Sequence, residues 1–211
     1  MPAYVRQLQL GPMANFVYLL GAGGSKEVAI VDPAWDAPAI ERALVQDGKE
    51  VSCVLLTHSH PDHVNALGDV LERHPVPVYV QASELEVSPW LREVTPLLRL
   101  AVPDERVSVG PLEVTLLGTP GHTPGSQCLL AAGALLTGDT VFVNACGRVD
   151  LPRGSAEALF GSLKRLSQLP GKTILYPGHD YGDVKVSSIA RECERNPYFQ
   201  FKELNGFLAF R

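Results

Sequence analysis

Three histidines and an aspartate fall within six residues, His58-Ser59-His60-Pro61-Asp62-His63, in a chain that has only six histidines. Imidazole nitrogens and a carboxylate packed this densely are the donor set of a divalent metal ion. The i, i+2, i+4, i+5 spacing, interrupted by Pro61, does not fit one helical face and predicts an irregular loop wrapped around its cargo.

Further donors recur in the same context, each just after an apolar run. Val54-Leu55-Leu56 leads to Thr57-His58, and Val114-Thr115-Leu116-Leu117 leads to Gly118-Thr119-Pro120-Gly121-His122. Ala134-Leu135-Leu136 leads to Thr137-Gly138-Asp139, and Ile174-Leu175-Tyr176 leads to Pro177-Gly178-His179. Loops at the ends of neighbouring strands can converge on one pocket, with Gly and Pro turning the backbone tightly. His58, His60, Asp62, His63, His122, Asp139 and His179 are too many donors for one tetrahedral ion, so two metals are expected. Nitrogen and carboxylate donors without a thiolate favour zinc and also suit iron or manganese. His74, after a helical segment and without a neighbouring donor, reads as an exposed helix-terminus residue.

These loops need a scaffold. Runs rich in Val, Ile and Leu at 15–20, 27–31, 51–56, 76–80, 112–117, 126–130, 134–136 and 173–176 predict strands. Helical periodicity marks 37–46, 65–73, 155–166 and 186–194, with Ser155 and Glu157 opening the third. The strand-then-helix pattern recurs after about residue 106, predicting two sheet-containing halves face to face under outer helices. Segment 83–109, with Pro89, Pro96 and Pro103 and weak periodicity, reads as a long excursion or lid.

Composition narrows the function. At 211 residues and 45% hydrophobic content, one domain over 1–211 is expected, with a sizeable core. A net charge of −5 without a Lys/Arg block argues against nucleic acid and for small-molecule substrates. No apolar run approaches the roughly 18 residues that span a bilayer, and no signal-like N-terminus is seen, so a cytoplasmic location is expected. Cys53, Cys128, Cys146 and Cys193 form no CxxC; the first two, in apolar runs, read as buried packing residues.

The His58, His60, Asp62, His63 motif with the later His122, Asp139 and His179 resembles the HxHxDH pattern of the metallo-β-lactamase superfamily. That resemblance, from Val31-Asp32-Pro33 to Arg195-Asn196-Pro197, implies an α/β, four-layer αβ/βα sandwich. It also implies His58, His60 and His122 on one metal, Asp62, His63 and His179 on a second, and Asp139 between them. A metal pair polarises a carbonyl and lowers the pKa of bound water from 15.7 to about 7, so hydrolysis is the default. Asp62 and Asp139 are the candidate catalytic carboxylates, Asp62 orienting or deprotonating the water. Ser59, inside the ligand loop, has little scope as a nucleophile, and no GxSxG is present.

Within the superfamily, Thr119-Pro120-Gly121-His122-Thr123-Pro124-Gly125, Ala145-Cys146-Gly147-Arg148-Val149-Asp150 and Tyr176-Pro177-Gly178-His179-Asp180-Tyr181 resemble the glyoxalase II and persulfide dioxygenase branch. The former implies two-metal hydrolysis of a thioester of a low-molecular-weight thiol. The latter implies one iron on the residues matching His58, His122 and Asp139, oxidising a thiol persulfide. Both retain all seven donors. Arg148 and Tyr181 match positions that approach the thiol, and Asp180 is placed either to orient a ligand histidine or on a surface loop. Full-length glyoxalase II enzymes carry a further C-terminal helical domain that helps hold glutathione, whereas only a short apolar tail follows Pro197 here, so a thiol other than glutathione is admitted. Phe199, Phe201, Phe207, Leu208 and Phe210 of that tail are expected to cover the core, with a homodimer contact as the alternative.

Overall fold

Alternation along the strands decides the layers. In β2 (Asn15–Ala22), Phe16, Tyr18, Leu20 and Ala22 pack on one face while Val17 and Leu19 pack on the other, and the whole strand is buried. A strand apolar on both faces must be covered on both. The computed structural model describes residues 1–94 and 96–210, and supplies both covers.

The first sheet is ordered β1 (Ala3–Leu10), β2, β3 (Glu27–Val31), β4 (Glu50–Leu55), β5 (Val78–Gln81), β6 (Leu98–Ala101). Pairing is antiparallel from β1 to β3 and parallel from β3 to β6. In the second sheet, β7 (Glu105–Val109), β8 (Leu112–Gly118), β9 (Gln127–Ala131) and β10 (Ala134–Gly138) form an antiparallel run. A small hairpin of β11 (Val141–Phe142) and β12 (Ala145–Cys146) follows β10. β13 (Ile174–Pro177) then joins β10 in parallel, and β14 (Ser187–Ser188) closes the edge.

Inner positions of both sheets meet in one cluster that includes Phe16, Leu20, Val31, Leu55, Val114, Leu116, Leu129 and Leu136. The outer face of the first sheet is covered by α1 (Ala37–Asp47), α2 (Pro61–Val64), α3 (Leu67–Arg73) and α4 (Leu91–Val94). That of the second is covered by α5 (Ala156–Leu166), α6 (Ile189–Arg195) and α7 (Leu204–Phe210). Leu159, Leu163 and Leu166 of α5 recur at helical spacing and bury one stripe, and Ser155 caps the helix by accepting from the Ala158 amide at 3.1 Å. The result is the four-layer αβ/βα sandwich that the sequence implied. Among the described residues no helix is long and apolar enough to cross a membrane.

Several local readings change. Segment 83–109 is not one excursion: it supplies a 3₁₀ turn (Ala82–Glu86), α4, β6 and β7. Leu100 of β6 is exposed at a sheet edge, and β6 and β7 are only four and five residues long, too short for a clear hydrophobic period. β1 is an edge strand whose side chains are half-buried on both faces, so it lacks the alternation that marks a strand in the sequence. Asp62 and His63 sit on a helical turn rather than in irregular loop, because Pro61 stands at the start of α2, where its missing N–H costs nothing. His74 ends α3 but is half-buried, its Nε2 2.8 Å from Glu41 Oε1. Phe207 of the tail is fully buried in the second helical layer, whereas Phe210 is about half exposed. Cys53 and Cys128 are buried.

Candidate metal centre

Parallel pairing gathers the centre. β3, β4 and β5 end at one sheet edge and release Asp32, His58 and the 82–86 turn side by side; β10 and β13 likewise release Asp139 and His179. Backbone bonds then join the two sheets beside the donors: the Gln127 amide donates to Thr57 O at 2.9 Å and the Phe16 amide to Gly178 O at 2.8 Å. Gly178 is required here, since a Cβ would lie 2.5 Å from Asp139 Oδ1. Gly138, at φ +46°, makes the left-handed turn that swings Asp139 inward.

All seven sequence-derived donors meet. His58, His60 and His122 present ligand atoms within 4.8 Å of one another, and so do Asp62, His63 and His179. Asp139 lies between the sets, Oδ1 3.2 Å from His63 Nε2 and 3.4 Å from His179 Nε2, Oδ2 3.6 Å from His122 Nε2.

The outer nitrogens fix the tautomers. His122 Nδ1 donates to Arg148 O at 2.8 Å and His179 Nδ1 to Met13 O at 2.9 Å, because a carbonyl can only accept. Asp32 takes His63 Nδ1 at 3.0 Å and the Thr57 hydroxyl at 2.6 Å, leaving the Thr57 oxygen to accept from His58 Nδ1 at 3.1 Å. These four rings therefore turn their Nε2 atoms inward. His63 Nε2 faces His179 Nε2 at 3.1 Å, and His122 Nε2 faces His60 Nδ1 at 2.8 Å. Ring nitrogens this close need a shared proton or a metal ion between them.

The electrostatics agree with a cation site. Burial, aided by His63, drives His58 well below its ordinary value, and burial with His122 takes His60 to about 4. Burial opposes protonation of His63 as well, yet Asp139 and Asp32 hold it well above its ordinary value. Burial would raise Asp139, but His63 and then His179 and His58 keep it well below the usual carboxylate range. His58 Nε2 and Asp139 Oδ1 are buried without any hydrogen-bond partner. A buried imidazole nitrogen and a buried carboxylate oxygen, both without a hydrogen-bond partner, fit a metal centre.

Two supporting residues escaped sequence reading. Asp32 has no metal-binding spacing of its own in the sequence, and its hold on the Thr57 amide (2.7 Å), Thr57 hydroxyl and His63 depends on the β3–β4 register. Asn15 donates through Nδ2 to Asp62 Oδ2 at 2.9 Å and accepts from Trp35 Nε1 at 2.8 Å, fixing Asp62 from a distant strand. Asp180 does not orient a ligand histidine: its carboxylate lies 3.8 Å from Lys185 Nζ, and the His179 ring is held by the Met13 carbonyl instead.

The centre forms the floor of a cavity of about 990 Å³ whose walls include Met13, Trp90, Phe142 and Leu151. Tyr181 lines it, stacked on His179 with ring centroids 4.6 Å apart and planes 11° apart. Arg148 also lines it, exposed and held by a bidentate pair of 2.7 Å bonds to Asp150. Cys146 lies on the same wall.

The chain is similar to known proteins in sequence and in fold. The chain is 33% identical over 198 residues to the probable polyketide biosynthesis zinc-dependent hydrolase PksB of Bacillus subtilis, covering 93% of this chain and 87% of that protein. It is 40% identical over 170 residues to a hydroxyacylglutathione hydrolase of Alkalilimnicola ehrlichii, covering 79% of this chain and 62% of that enzyme. The crystal structure of ETHE1 from Myxococcus xanthus, a name carried also by the mitochondrial persulfide dioxygenase of Bos taurus, superposes with a TM-score of 0.85 at 30% identity, covering 98% of this chain and 89% of that one. Residues 10–179 match the profile of the Metallo-beta-lactamase superfamily, and the chain belongs to that superfamily.

Proposed function

We propose that this chain is a metal-dependent hydrolase that cleaves a thioester of a low-molecular-weight thiol. The observation that carries this reading is the pair of orphaned buried donors, His58 Nε2 and Asp139 Oδ1, within a seven-donor cluster at the floor of a large open cavity. His58, His60 and His122 would hold one ion, Asp62, His63 and His179 the other, with Asp139 shared. When bound, a metal pair supplies a Lewis acid for the thioester carbonyl and lowers the pKa of water to about 7.

The remaining steps belong to side chains. Asn15 fixes Asp62 so that its carboxylate can orient the attacking water and accept its proton. Met13, Trp90, Phe142 and Leu151 enclose an apolar acyl group and exclude bulk water. At the rim, Arg148 pairs with a carboxylate of the thiol by exchanging it for Asp150, since a solvent-exposed pair is readily exchanged, and Tyr181 forms the adjoining wall. The relatives named as a zinc-dependent hydrolase and a hydroxyacylglutathione hydrolase support this reading.

A second reading, oxidation of a thiol persulfide at a single iron, is favoured by the likeness to ETHE1 over 98% of this chain and by the placement of His58, His122 and Asp139. Protein purified without added metal should be analysed for metal content and assayed on S-lactoylglutathione and other acyl thioesters, alongside oxygen uptake with glutathione persulfide. Two zinc ions and metal-dependent thioester cleavage are expected. A single iron, with oxygen uptake and no thioester turnover, overturns the hydrolase in favour of the dioxygenase.

A further inference from the structure

Glu84 is fully buried in the turn that follows β5, and it is not one of the seven donors. Its Oε2 accepts from the Ser59 hydroxyl, and its Oε1 accepts from the Thr123 hydroxyl and, at 3.0 Å, from the Gly125 amide. Ser59 also contacts the Ser88 hydroxyl at 2.8 Å, and Thr123 that of Ser126 at 2.8 Å. A Cβ on Gly125 would lie 2.6 Å from the Glu84 amide nitrogen, so this glycine lets the second loop close onto the carboxylate.

The two hydroxyls that Glu84 grips are not arbitrary. Ser59 stands between His58 and His60, and Thr123 directly follows His122, so one carboxylate ties together the two loops that carry all three nitrogens of one half-site. These loops come from opposite sheets and have no chain continuity to fix their separation. The other half-site has tethers of its own, Asn15 on Asp62 and Asp32 on His63, and Asp32 reaches His58 of the first half only through Thr57.

We propose that Glu84 is a positioning residue that sets the spacing of His58, His60 and His122, and through it the metal affinity of that half of the centre alone. This rests on the metal-centre reading above and adds to it an asymmetry between the halves. A carboxylate suits the task because it accepts several hydrogen bonds and donates none, so every donor from both loops points at one fixed anchor.

The test is zinc titration of metal-stripped protein against a chromophoric chelator, with circular dichroism and the metal-free unfolding midpoint read on each variant. Glu84→Ala is expected to weaken one of two zinc sites by about 10- to 100-fold, the range seen for outer-shell partners, and to leave the other within about 3-fold. Glu84→Gln keeps an acceptor for Thr123 and Gly125 and should recover most of the loss. Where Glu84→Ala does not fold, Thr123→Val removes a single hydroxyl at constant shape and should weaken the same site by roughly 3- to 10-fold. Folded variants with wild-type affinity at both sites, or weakened equally at both, overturn the proposal. A wild-type protein that binds no zinc or other divalent metal instead overturns the metal centre on which it stands.

Discussion

The Asp139 carboxylate lies 3.2 Å from His63 Nε2 through Oδ1 and turns its other oxygen towards His122. A single side chain just after β10 thus faces both halves of the centre with its negative charge. Asp139→Asn keeps the shape and removes the charge. Metal per chain should fall, and kcat should drop by at least about 100-fold, since charge stabilisation at a metal pair contributes several kcal/mol. Metal analysis and steady-state kinetics on the same preparation check this; a variant with unchanged metal content would contradict the shared role.

Metal-free protein should be most stable near the ordinary histidine pKa of about 6.5. His63 is raised when folded, so its contribution is fully present below that value and is lost as pH rises through its folded pKa. His58 and His60 are depressed, so their unfolded forms take up protons that the folded rings refuse, and stability also falls as pH drops from 6.5 towards about 4. Urea midpoints of chelator-stripped protein at about pH 5, 6.5 and 9 should trace a maximum. A steady rise across that range is the contrary result.

Arg148 carries the rim of the proposed thiol site. Arg148→Ala should raise KM on the order of 10-fold for a substrate whose thiol bears a carboxylate, with kcat within about 2-fold, because the contact is equal in ground and transition states. Comparing a charged with an uncharged thiol thioester isolates the effect. Equal losses on both substrates would assign Arg148 to loop structure through Asp150.

The tail divides at Phe207. Phe207→Ala empties a fully buried site against Phe160 and Tyr198 and should cost about 3–5 kcal/mol, whereas Phe210→Ala, half exposed, should cost less than about 1 kcal/mol. Equilibrium denaturation of both variants measures the contrast, and similar values would mean that α7 does not close the core.

The donors themselves were legible in the chain, because metal chemistry demands particular side chains and strand-ending loops display them with Gly and Pro around them. His58 to His63, His122, Asp139 and His179 all follow strands whose apolar runs are unmistakable. The buried strands were legible for the same reason, since hydrophobic periodicity records burial. Edge elements such as β1 and β6 were not, because β1 is half-buried on both faces and β6 is only four residues long, so neither carries a clear period.

Sequence alone therefore determined which groups could bind a metal and which strands deliver them. Tertiary structure decided what holds those groups in place. Asp32, Asn15 and Glu84 act on residues 31, 47 and 39 positions away, contacts created by strand register and sheet packing. A hydrogen bond depends on distance and direction in space, and one-dimensional spacing carries neither once the chain has crossed from one sheet to the other.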